Sequence, residues 1–198
     1  LEMLVPKQQA AVDQVRAGYA KGQAPADLYQ ALQWQPNWDW GVYGALVGYA
    51  VQQPWPLQSA NLDRSEIMQI YAQQPGLAGN ASSAPLVREV LLQQIRESHC
   101  DLLPESQLPA MLAVQQQRDR RMAERLRDAP EPALLFAGAF HVRRDLGVPL
   151  HLQDLGAADG TLVLVLAEAG SAVSEGQGDF VWYTAAQPEE DHCAALRK

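Results

Sequence analysis

Features that would assign this sequence to a common class of protein are largely missing. It has no G-x-S-x-G element, no phosphate-binding P-loop and no G-x-G-x-x-G, so serine hydrolases, NTPases and nucleotide oxidoreductases lose their usual support. No apolar run approaches the roughly 20 residues that span a bilayer, and the longest, Thr161 to Ala167, is the length of a strand. Positive charge is scarce. The net charge of −8 repels phosphate backbones and argues against nucleic-acid binding.

Cysteine is scarce too. Cys100 and Cys193 lie far apart in the sequence, and no C-x-x-C or Cys/His metal spacing accompanies them, which excludes a zinc ribbon. They are either two unrelated thiols or a disulfide that ties the C-terminal tail to the end of a helix. A disulfide of that kind requires an oxidising compartment.

What the sequence does contain is an alternation of strand-like and helix-like segments. Its 198 residues suit one large domain, and 47% apolar residues are enough for a proper core. We predict strands at Leu1–Val5, Leu57–Ala60, Ala133–Ala139, Thr161–Ala167 and, as an edge strand, Phe180–Thr184. Helices between strands imply a parallel sheet. The predicted fold is therefore α/β, a mostly parallel sheet flanked by helices. Because the chain opens inside a strand-like run, we expect the first strand of the sheet to be missing from it.

The helices are predicted from apolar periodicity and from proline and capping signals. They run from Pro6 through Tyr19, from Ala26 to Gln33, from Trp38 to Gln53, from Asp63 through Tyr71, through Val87 and Ile95 to near His99, and from Pro104 to about Asp128. The last and longest has two polar residues, Gln115 and Arg118, in its apolar stripe. Either the stripe rotates through Leu112 and Val114, or this part of the helix lines a polar cavity.

Three polar residues lie in or after predicted strands. Glu2 is in the first strand, Asn61 follows the second, and His141 follows the strand that ends near Phe140. Because functional groups collect beyond the carboxyl ends of parallel strands, one pocket could receive all three. Each also has a structural interpretation, with Asn61 as a helix cap and His141 as a hydrogen-bonded residue at a strand end.

Two adjacent arginines follow His141. Guanidinium groups bind carboxylate or phosphate groups bidentately, so Arg143 and Arg144 suit an anionic ligand. The alternative is a surface ion pair with Asp145.

Aromatic residues are concentrated in one segment. Four tryptophans, Trp34, Trp38, Trp40 and Trp55, occur there together with Tyr43 and Tyr49. This cluster is either a core between two subdomains or, where it is exposed, a surface for dimerisation.

Several segments together resemble the ChaN-like family of haem-binding, iron-regulated lipoproteins of the bacterial envelope. Residues 137–149, A-G-A-F-H-V-R-R-D-L-G-V-P, are similar to the family signature G-x-G-H-V-R-R-D-x-G-V-P. Further similarities lie at residues 1–4 (L-E-M-L), 58–64 (Q-S-A-N-L-D-R), 98–104 (S-H-C-D-L-L-P) and 180–184 (F-V-W-Y-T). The sequence departs from the family at Ala139 and Phe140, and it lacks the G-E-x-H motif of the family's first strand.

The resemblance implies a single ChaN-like domain with a smaller helical part, at about 6–36 and 63–100, beside the sheet. It also implies haem held between two protomers, a tyrosine on the iron and a histidine near the propionates. We assign Tyr43 as the iron ligand, with Tyr49 second. The cations for the propionates are expected from His141, Arg143, Arg144 and His151, and the pocket is expected to include Glu2, Asn61, Arg64 and His99. Ferric iron favours a phenolate ligand, which agrees with this assignment.

The expected function is therefore haem binding for iron acquisition, in the periplasm or as an outer-membrane lipoprotein, by a binding protein rather than an enzyme. The expected partners are haem, a second copy when haem is loaded, and an outer-membrane haem receptor. Two alternatives remain. The first is a metal-dependent hydrolase. The wider superfamily that the ChaN-like fold resembles includes erythromycin esterases and Tiki-type metal-dependent proteases, and Glu2 and His141 match the glutamate and the histidine that those enzymes place in one pocket. A plain protein-interaction module for a receptor is the other.

Overall fold

A computed structural model describes residues 1–188, 191, 193 and 194. The chain forms two compact units. The first contains Leu1–Asp63 and the short segment Leu134–Ala137, and the second contains Arg64–Ala133 and the chain from Gly138 onward. The predicted separation into a helical part and a sheet part is a different division, and it stays a prediction.

The first unit is built from helices whose starts follow local rules. A 3-10 turn at Pro6–Gln8 leads into α1 (Gln9–Ala20), and α2 (Leu28–Ala31) and α3 (Trp40–Gln52) follow. The carboxylates of Asp27 and Asp39 accept backbone N–H groups in the first turns of α2 and α3, which satisfies donors that have no partner inside a helix. The buried core of this unit comprises Met3, Leu4, Val12, Val15, Leu32, Trp34, Val47, Val51 and Leu57.

The second unit is organised around one long helix. Its helices are α4 (Arg64–Gln73), α5 (Pro85–Ser98), α6 (Leu108–Arg127), α7 (Ala139–Val142) and α8 (Val148–Asp154). Single 3-10 turns lie at Glu105–Gln107 and Glu175–Gln177. Helix α6 contacts α4, α5 and α8. Leu91 and Ile95 of α5 pack with Leu108 and Leu112 of α6 in a buried cluster. The six predicted helices are all present, with small shifts of their ends.

The described residues contain one sheet of two parallel strands, β1 (Leu164–Glu168) and β2 (Phe180–Thr184). Leu164 pairs with Phe180 and Glu168 with Thr184. Burial alternates along the first of these segments, where Val163 and Val165 are buried and Leu164 and Leu166 are half exposed, as the two-residue period of a strand requires. Every residue of β2 is exposed, as expected of the predicted edge strand. The α/β class is confirmed.

Three predicted strands are wrong. Leu1–Val5, Leu57–Ala60 and Ala133–Ala139 are not strands, and residues 2 and 3 form a turn. Backbone hydrogen bonds still join the segments. The Glu2 N–H donates to the Phe136 carbonyl at 3.1 Å, the Leu1 amino group donates to the Gln58 carbonyl at 2.8 Å, and the Ala60 N–H donates to the Leu1 carbonyl at 3.0 Å. The apolar content of the segments predicted their contact, but these few bonds do not extend into the repeating ladder of a sheet.

Two other features bear on the sequence predictions. Cys100 and Cys193 form a disulfide, with their Cα atoms 5.7 Å apart. Of the two alternatives, unrelated thiols or a bridge, the structure therefore contains the bridge. Among the described residues, no helix combines the length and the apolar character that crossing a membrane requires.

Candidate functional site

His141 is a predicted site residue that contacts a buried carboxylate. It lies in α7 rather than at the end of a strand, and it is 8% exposed. Its Nδ1 is in hydrogen-bond contact with the Oδ1 atom of Asp119, a fully buried carboxylate in the middle of α6. Because an ionised carboxylate can only accept, the Nδ1–H group donates to it. His141 is thus oriented by a carboxylate that sequence analysis did not identify.

Helix α6 directs polar side chains toward His141 and toward the chain at residues 78–82. The Gln115 amide nitrogen lies 3.2 Å from Nδ1 of His141, one helical turn before Asp119. Gln116 donates to the Ser82 carbonyl at 2.9 Å, and Arg120 donates to the Ala78 carbonyl at 3.2 Å. The only sequence signal for this arrangement was the polar interruption of the apolar stripe. Leu112 and Val114 are buried, as the rotated stripe predicts, and Gln116 and Asp119 are buried on the same helix; the polar cavity stays a prediction.

A glycine fixes the backbone around His141. A Cβ atom on Gly147 would overlap the backbone carbonyl group of His141 and crowd that of Phe140. The Gly147 N–H also donates to the Arg143 carbonyl at 2.9 Å, which closes the turn. The close approach of two backbone segments therefore requires glycine at this position, and it sets where His141 lies relative to α8.

The two arginines after His141 are both engaged by carboxylates. Arg143 forms two hydrogen bonds with Asp145, of 2.9 and 2.6 Å, in the bidentate ion pair that was the alternative interpretation. Arg144 pairs with Asp179, just before β2. Arg144 remains about half exposed, so it can also meet an anion from solution.

His151 lies in the interior of the second unit. It is 1% exposed on α8, and its pKa is lowered to about 4, first by burial and then by the positive charge of Arg120, while Asp154 acts in the opposite direction. A buried neutral imidazole offers a haem propionate neither surface nor charge. We therefore remove His151 from the residues expected to meet the propionates.

Glu2 and Asn61 are brought together in the first unit. Both are buried, and Asn61 donates from Nδ2 to the Glu2 backbone carbonyl at 2.9 Å while its Oδ1 accepts the Leu62 N–H at 2.8 Å. Asn61 thus links two chain segments, and it is not the helix cap of the alternative interpretation. His141 belongs to the second unit, so the predicted pocket of three polar residues stays a prediction.

The remaining two pocket candidates lie at helix ends. Arg64 is the exposed first residue of α4. His99 is the C-cap of α5, where its Nδ1 lies 2.7 Å from the Ile95 carbonyl oxygen. Its contact is therefore with its own helix.

The aromatic segment forms both core and surface. Trp34 is buried and donates from Nε1 to the Trp38 carbonyl at 2.7 Å, and its ring meets Trp40 edge-on at 5.0 Å. The half-buried ring of Tyr43 meets Trp38 edge-on at 5.2 Å. Tyr49 is 61% exposed. Helix α3 therefore carries one tyrosine held by an aromatic neighbour and one that is open to solvent.

Comparison with known proteins identifies a family and a similar structure. The family described as haem-binding uptake, Tiki superfamily, ChaN matches residues 1–152. A solved structure of cofacial haem binding to ChaN of Campylobacter jejuni is 32% identical and superposes with a TM-score of 0.81, over 91% of this chain and 70% of that one. No curated protein matches the chain.

The resemblance predicted from dispersed motifs is therefore confirmed by a match over most of the sequence and by a similar fold at clear sequence identity. This chain belongs to the ChaN family of haem-binding uptake proteins, within the Tiki superfamily.

Proposed function

We propose that this chain binds ferric haem for iron uptake, with the iron held by a tyrosine of α3 and with two copies associating when haem is loaded. The observation that carries the proposal is the outer surface of α3. Val42 is 66% exposed and Tyr49 61%, and Ala45 between them is also exposed. Their spacing of three and four residues places them on one side of the helix. Exposed apolar side chains on one side of a helix provide a contact surface that suits a flat apolar ligand.

The residues present fit haem by their chemistry. A haem site needs apolar or aromatic surface for the flat macrocycle and an axial ligand for the metal. Helix α3 offers both, in the exposed side chains of Val42 and Ala45 and in its two tyrosines. Haem, when bound, would supply a ferric iron, and a phenolate oxygen of Tyr43 or Tyr49 would hold it.

Tyr43 is our first assignment for that ligand. Tyr43 lies six positions before Tyr49, which puts the two side chains about 120° apart around the helix. Tyr49 shares the side of Val42 and Ala45, whereas Tyr43 lies about 100° around the helix from Val42, at the edge of that side. The edge-on contact with Trp38 holds the Tyr43 ring in place, and a ligand whose orientation is already fixed loses little entropy on binding. Tyr49 lacks such a neighbour among the described ring contacts and is the second choice.

A ferric haem titration, followed by absorbance and paired with a sizing column, tests the proposal. We expect a saturable shift of the Soret band, a charge-transfer feature typical of tyrosinate ligation, and elution of the loaded protein as a dimer. Absorbance identical to haem in buffer would overturn haem binding. Loaded protein that elutes as a monomer would overturn the dimer.

The two tyrosines provide a matched pair of variants, since phenylalanine preserves ring packing at each position. Tyr43→Phe should remove the charge-transfer feature and weaken haem binding by roughly tenfold or more, as loss of a charge-assisted ligand implies. Tyr49→Phe should leave both unchanged. The reverse result would transfer the ligand role to Tyr49, and no effect of either would exclude α3 as the source of the ligand.

We further propose that the protein works in the cell envelope, in the periplasm or as a lipoprotein anchored in the outer membrane, where an outer-membrane haem receptor is its partner. The disulfide between Cys100 and Cys193 supports this location, because such bonds persist in oxidising compartments. Fractionation of cells that produce the natural protein tests it, and recovery with the cytoplasmic fraction would contradict it.

A second candidate function is metal-dependent hydrolysis that uses Glu2 and His141. The observation in its favour is the contact between His141 and the buried carboxylate of Asp119, because a carboxylate on one ring nitrogen is how many enzymes orient a general base or a metal-binding histidine. Ester or peptide hydrolysis that requires added divalent metal and is lost in His141→Gln would support it. Equal rates for His141→Gln and the unchanged protein would exclude it.

A further inference from the structure

The outer edge of β2 has backbone groups without a partner in the described part of the chain. The Phe180 N–H donates to the Val163 carbonyl at 3.1 Å, and the Thr184 carbonyl accepts an N–H from the residue after β1 at 2.9 Å. These residues of β2 therefore direct their backbone groups toward β1. Because successive residues of a strand direct theirs to opposite sides, the N–H and carbonyl groups of Val181 and Tyr183 point away from β1. They form the free edge of the sheet.

This edge lacks the features that usually keep an edge strand from pairing. Natural proteins protect such strands with charged side chains, proline or a bulge. Residues 180–184 read F-V-W-Y-T, without a charge or a proline, and they pair with β1 in unbroken register. All five are exposed, Trp182 by 65% and Tyr183 by 52%. Because β-branched and aromatic residues also favour strands, β2 is suited to accept a further strand.

A second copy of β2 fits this edge in the antiparallel direction. A two-fold axis at Trp182 places that residue opposite its own copy. It also places Val181 opposite Tyr183 of the second copy, and Phe180 opposite Thr184 of the second copy. Val181 and Tyr183 then use their outward N–H and carbonyl groups in hydrogen bonds on both sides of the axis. The strand is complementary to itself, as a two-fold interface requires.

Charge does not oppose this pairing, although the chain has a net charge of −8. The five residues of β2 carry no charged side chain. Asp179, the residue before the strand, pairs with Arg144, and in the antiparallel register it lies opposite Ala185 of the second copy. Like charges directly opposite each other destabilise a strand pair, and this register places none opposite another.

We propose that two copies of this chain associate through the outer edges of β2, antiparallel about a two-fold axis at Trp182, so that their sheets become continuous. Cross-strand contact between the two Trp182 side chains adds to the backbone hydrogen bonds. One pair of short strands buries less than about 1,200 Å², the range of weak and transient complexes. The contact therefore depends on protein concentration. It goes beyond the proposed function, because it uses β2 rather than α3 and needs no haem.

Cysteine cross-linking of haem-free protein tests the register. In the antiparallel pair the Cα atoms of residue 182 and of its copy lie about 4.5 Å apart, which a disulfide can bridge. Trp182→Cys should therefore form a covalent dimer in oxidised glutathione, and a reductant should reverse it. Val181→Cys is the matched control. Its two copies lie two positions out of register, with Cα atoms about 9 Å apart, so it should stay a monomer.

Sedimentation equilibrium of haem-free protein, from about 10 μM to about 1 mM, tests the surface. The mean mass of the unchanged protein should rise with concentration from one chain toward two. Val181→Pro removes an outward N–H that β1 does not use, so the β1–β2 pair remains, and the dissociation constant should rise by roughly tenfold or more. Leu164→Lys changes the half-exposed face of β1 and not the edge, so it should leave the dissociation constant as it is.

A mass of one chain at every concentration would overturn the proposal, as would cross-linking of Val181→Cys as fast as that of Trp182→Cys. Association lost in Leu164→Lys but kept in Val181→Pro would assign the contact to the face of the sheet and would overturn it too. If Val181→Pro does not fold, the cross-linking result decides. Neither experiment uses haem, so a failure of haem binding would refute the proposed function and leave this result unaffected.

Discussion

The carboxylate of Asp154 accepts the backbone N–H of Ser82 at 2.9 Å and is also within hydrogen-bond distance of the Ser82 hydroxyl group, across 72 residues of sequence. The N–H groups of Ala81 and Asn80 donate to the same carboxylate at 2.8 and 2.9 Å. A Cβ atom on Gly79, where φ is +144°, would overlap the side chain of Asp154. The loop before α5 is therefore folded around a single carboxylate of α8.

We predict that Asp154→Asn loosens this loop. Burial acts to raise the pKa of Asp154, but the hydrogen bonds from Ser82, Ala81 and Asn80 outweigh it and hold the pKa below its ordinary value. An amide has one acceptor oxygen in place of two, so at least one of the N–H groups of Asn80, Ala81 and the buried residue Ser82 loses its partner. The free energy of unfolding should fall by about 2 kcal/mol, measured in urea at neutral pH.

Hydrogen exchange gives the local control for that variant. Amide protection should fall at residues 80–82 and stay unchanged in α1. Gln153→Ala, an exposed neighbour on α8, should leave both stability and protection as they are. Asp154→Asn that behaves like Gln153→Ala would refute the role of the carboxylate.

We predict that stability decreases as pH falls toward 4 because of His151. Its pKa is about 4 in the folded protein, lowered first by burial and then by Arg120, against the ordinary 6.5. Between these two values the unfolded chain takes up a proton that the folded protein does not, so the free energy of unfolding falls with pH. The full difference of two and a half units corresponds to about 3 kcal/mol.

Urea unfolding at several pH values between about 7 and 4, with His151→Gln as the comparison, measures the effect. The variant should lose less stability than the unchanged protein over this range, since glutamine takes up no proton. Asp154 does not interfere with this measurement. Its pKa in the folded protein lies below the ordinary 3.8, so the stability that its carboxylate provides is lost only at pH values below those measured. Parallel curves for the two proteins would show that His151 is not the group responsible.

We predict that Gly147→Ala destabilises the protein and disturbs His141. The added methyl group would overlap the His141 carbonyl group, and backbone, unlike a flexible side chain, cannot move aside cheaply. A loss of about 2 kcal/mol or more in the free energy of unfolding is expected, together with a changed NMR spectrum of the His141 ring. Gly176→Ala is the matched control, because a Cβ atom there meets no atom within 4 Å. Similar stability of the two variants would contradict the argument.

We predict that no free thiol is present in the unreduced protein. A thiol assay under denaturing conditions should find Cys100 and Cys193 unreactive until a reductant is added, and two reactive thiols without reductant would exclude the bridge. Because the bond closes a long loop, with a separation of 93 residues, Cys100→Ser should lower the free energy of unfolding by about 2 to 4 kcal/mol. Lys7→Ser, on the exposed surface of the first unit, should have no such effect.

The helices were predictable because their determinants are local. Pro6 and Pro85 lie at the first helical turn, and Asp39 caps α3 through a residue two positions away. The two strands β1 and β2 were also predicted, since runs of β-branched and aromatic residues favour them. The strand predicted at Ala133–Ala139 was wrong, because an apolar run indicates burial but not the neighbour with which a ladder forms.

The site was predictable only in part. The sequence motifs identified the family, His141, and the possible ion pair of Arg143 with Asp145, which are near neighbours in the chain. Asp119 was not identified, because the sequence of a long helix does not tell which distant segment will contact a given polar residue in its stripe. His151 was assigned to the propionates from its chemistry, and its burial in the core removes it from them.

The sequence by itself therefore determined the family, the helices and the edge strand, since hydrogen bonds within a helix and motifs within a segment involve residues close together in the chain. Tertiary structure alone decided which polar groups far apart in the sequence meet. The contact of Asp119 with His141 spans 22 residues and that of Asp154 with Ser82 spans 72. Such pairs depend on how helices pack, because the entropy of closing a long loop is offset only by the burial of both segments together.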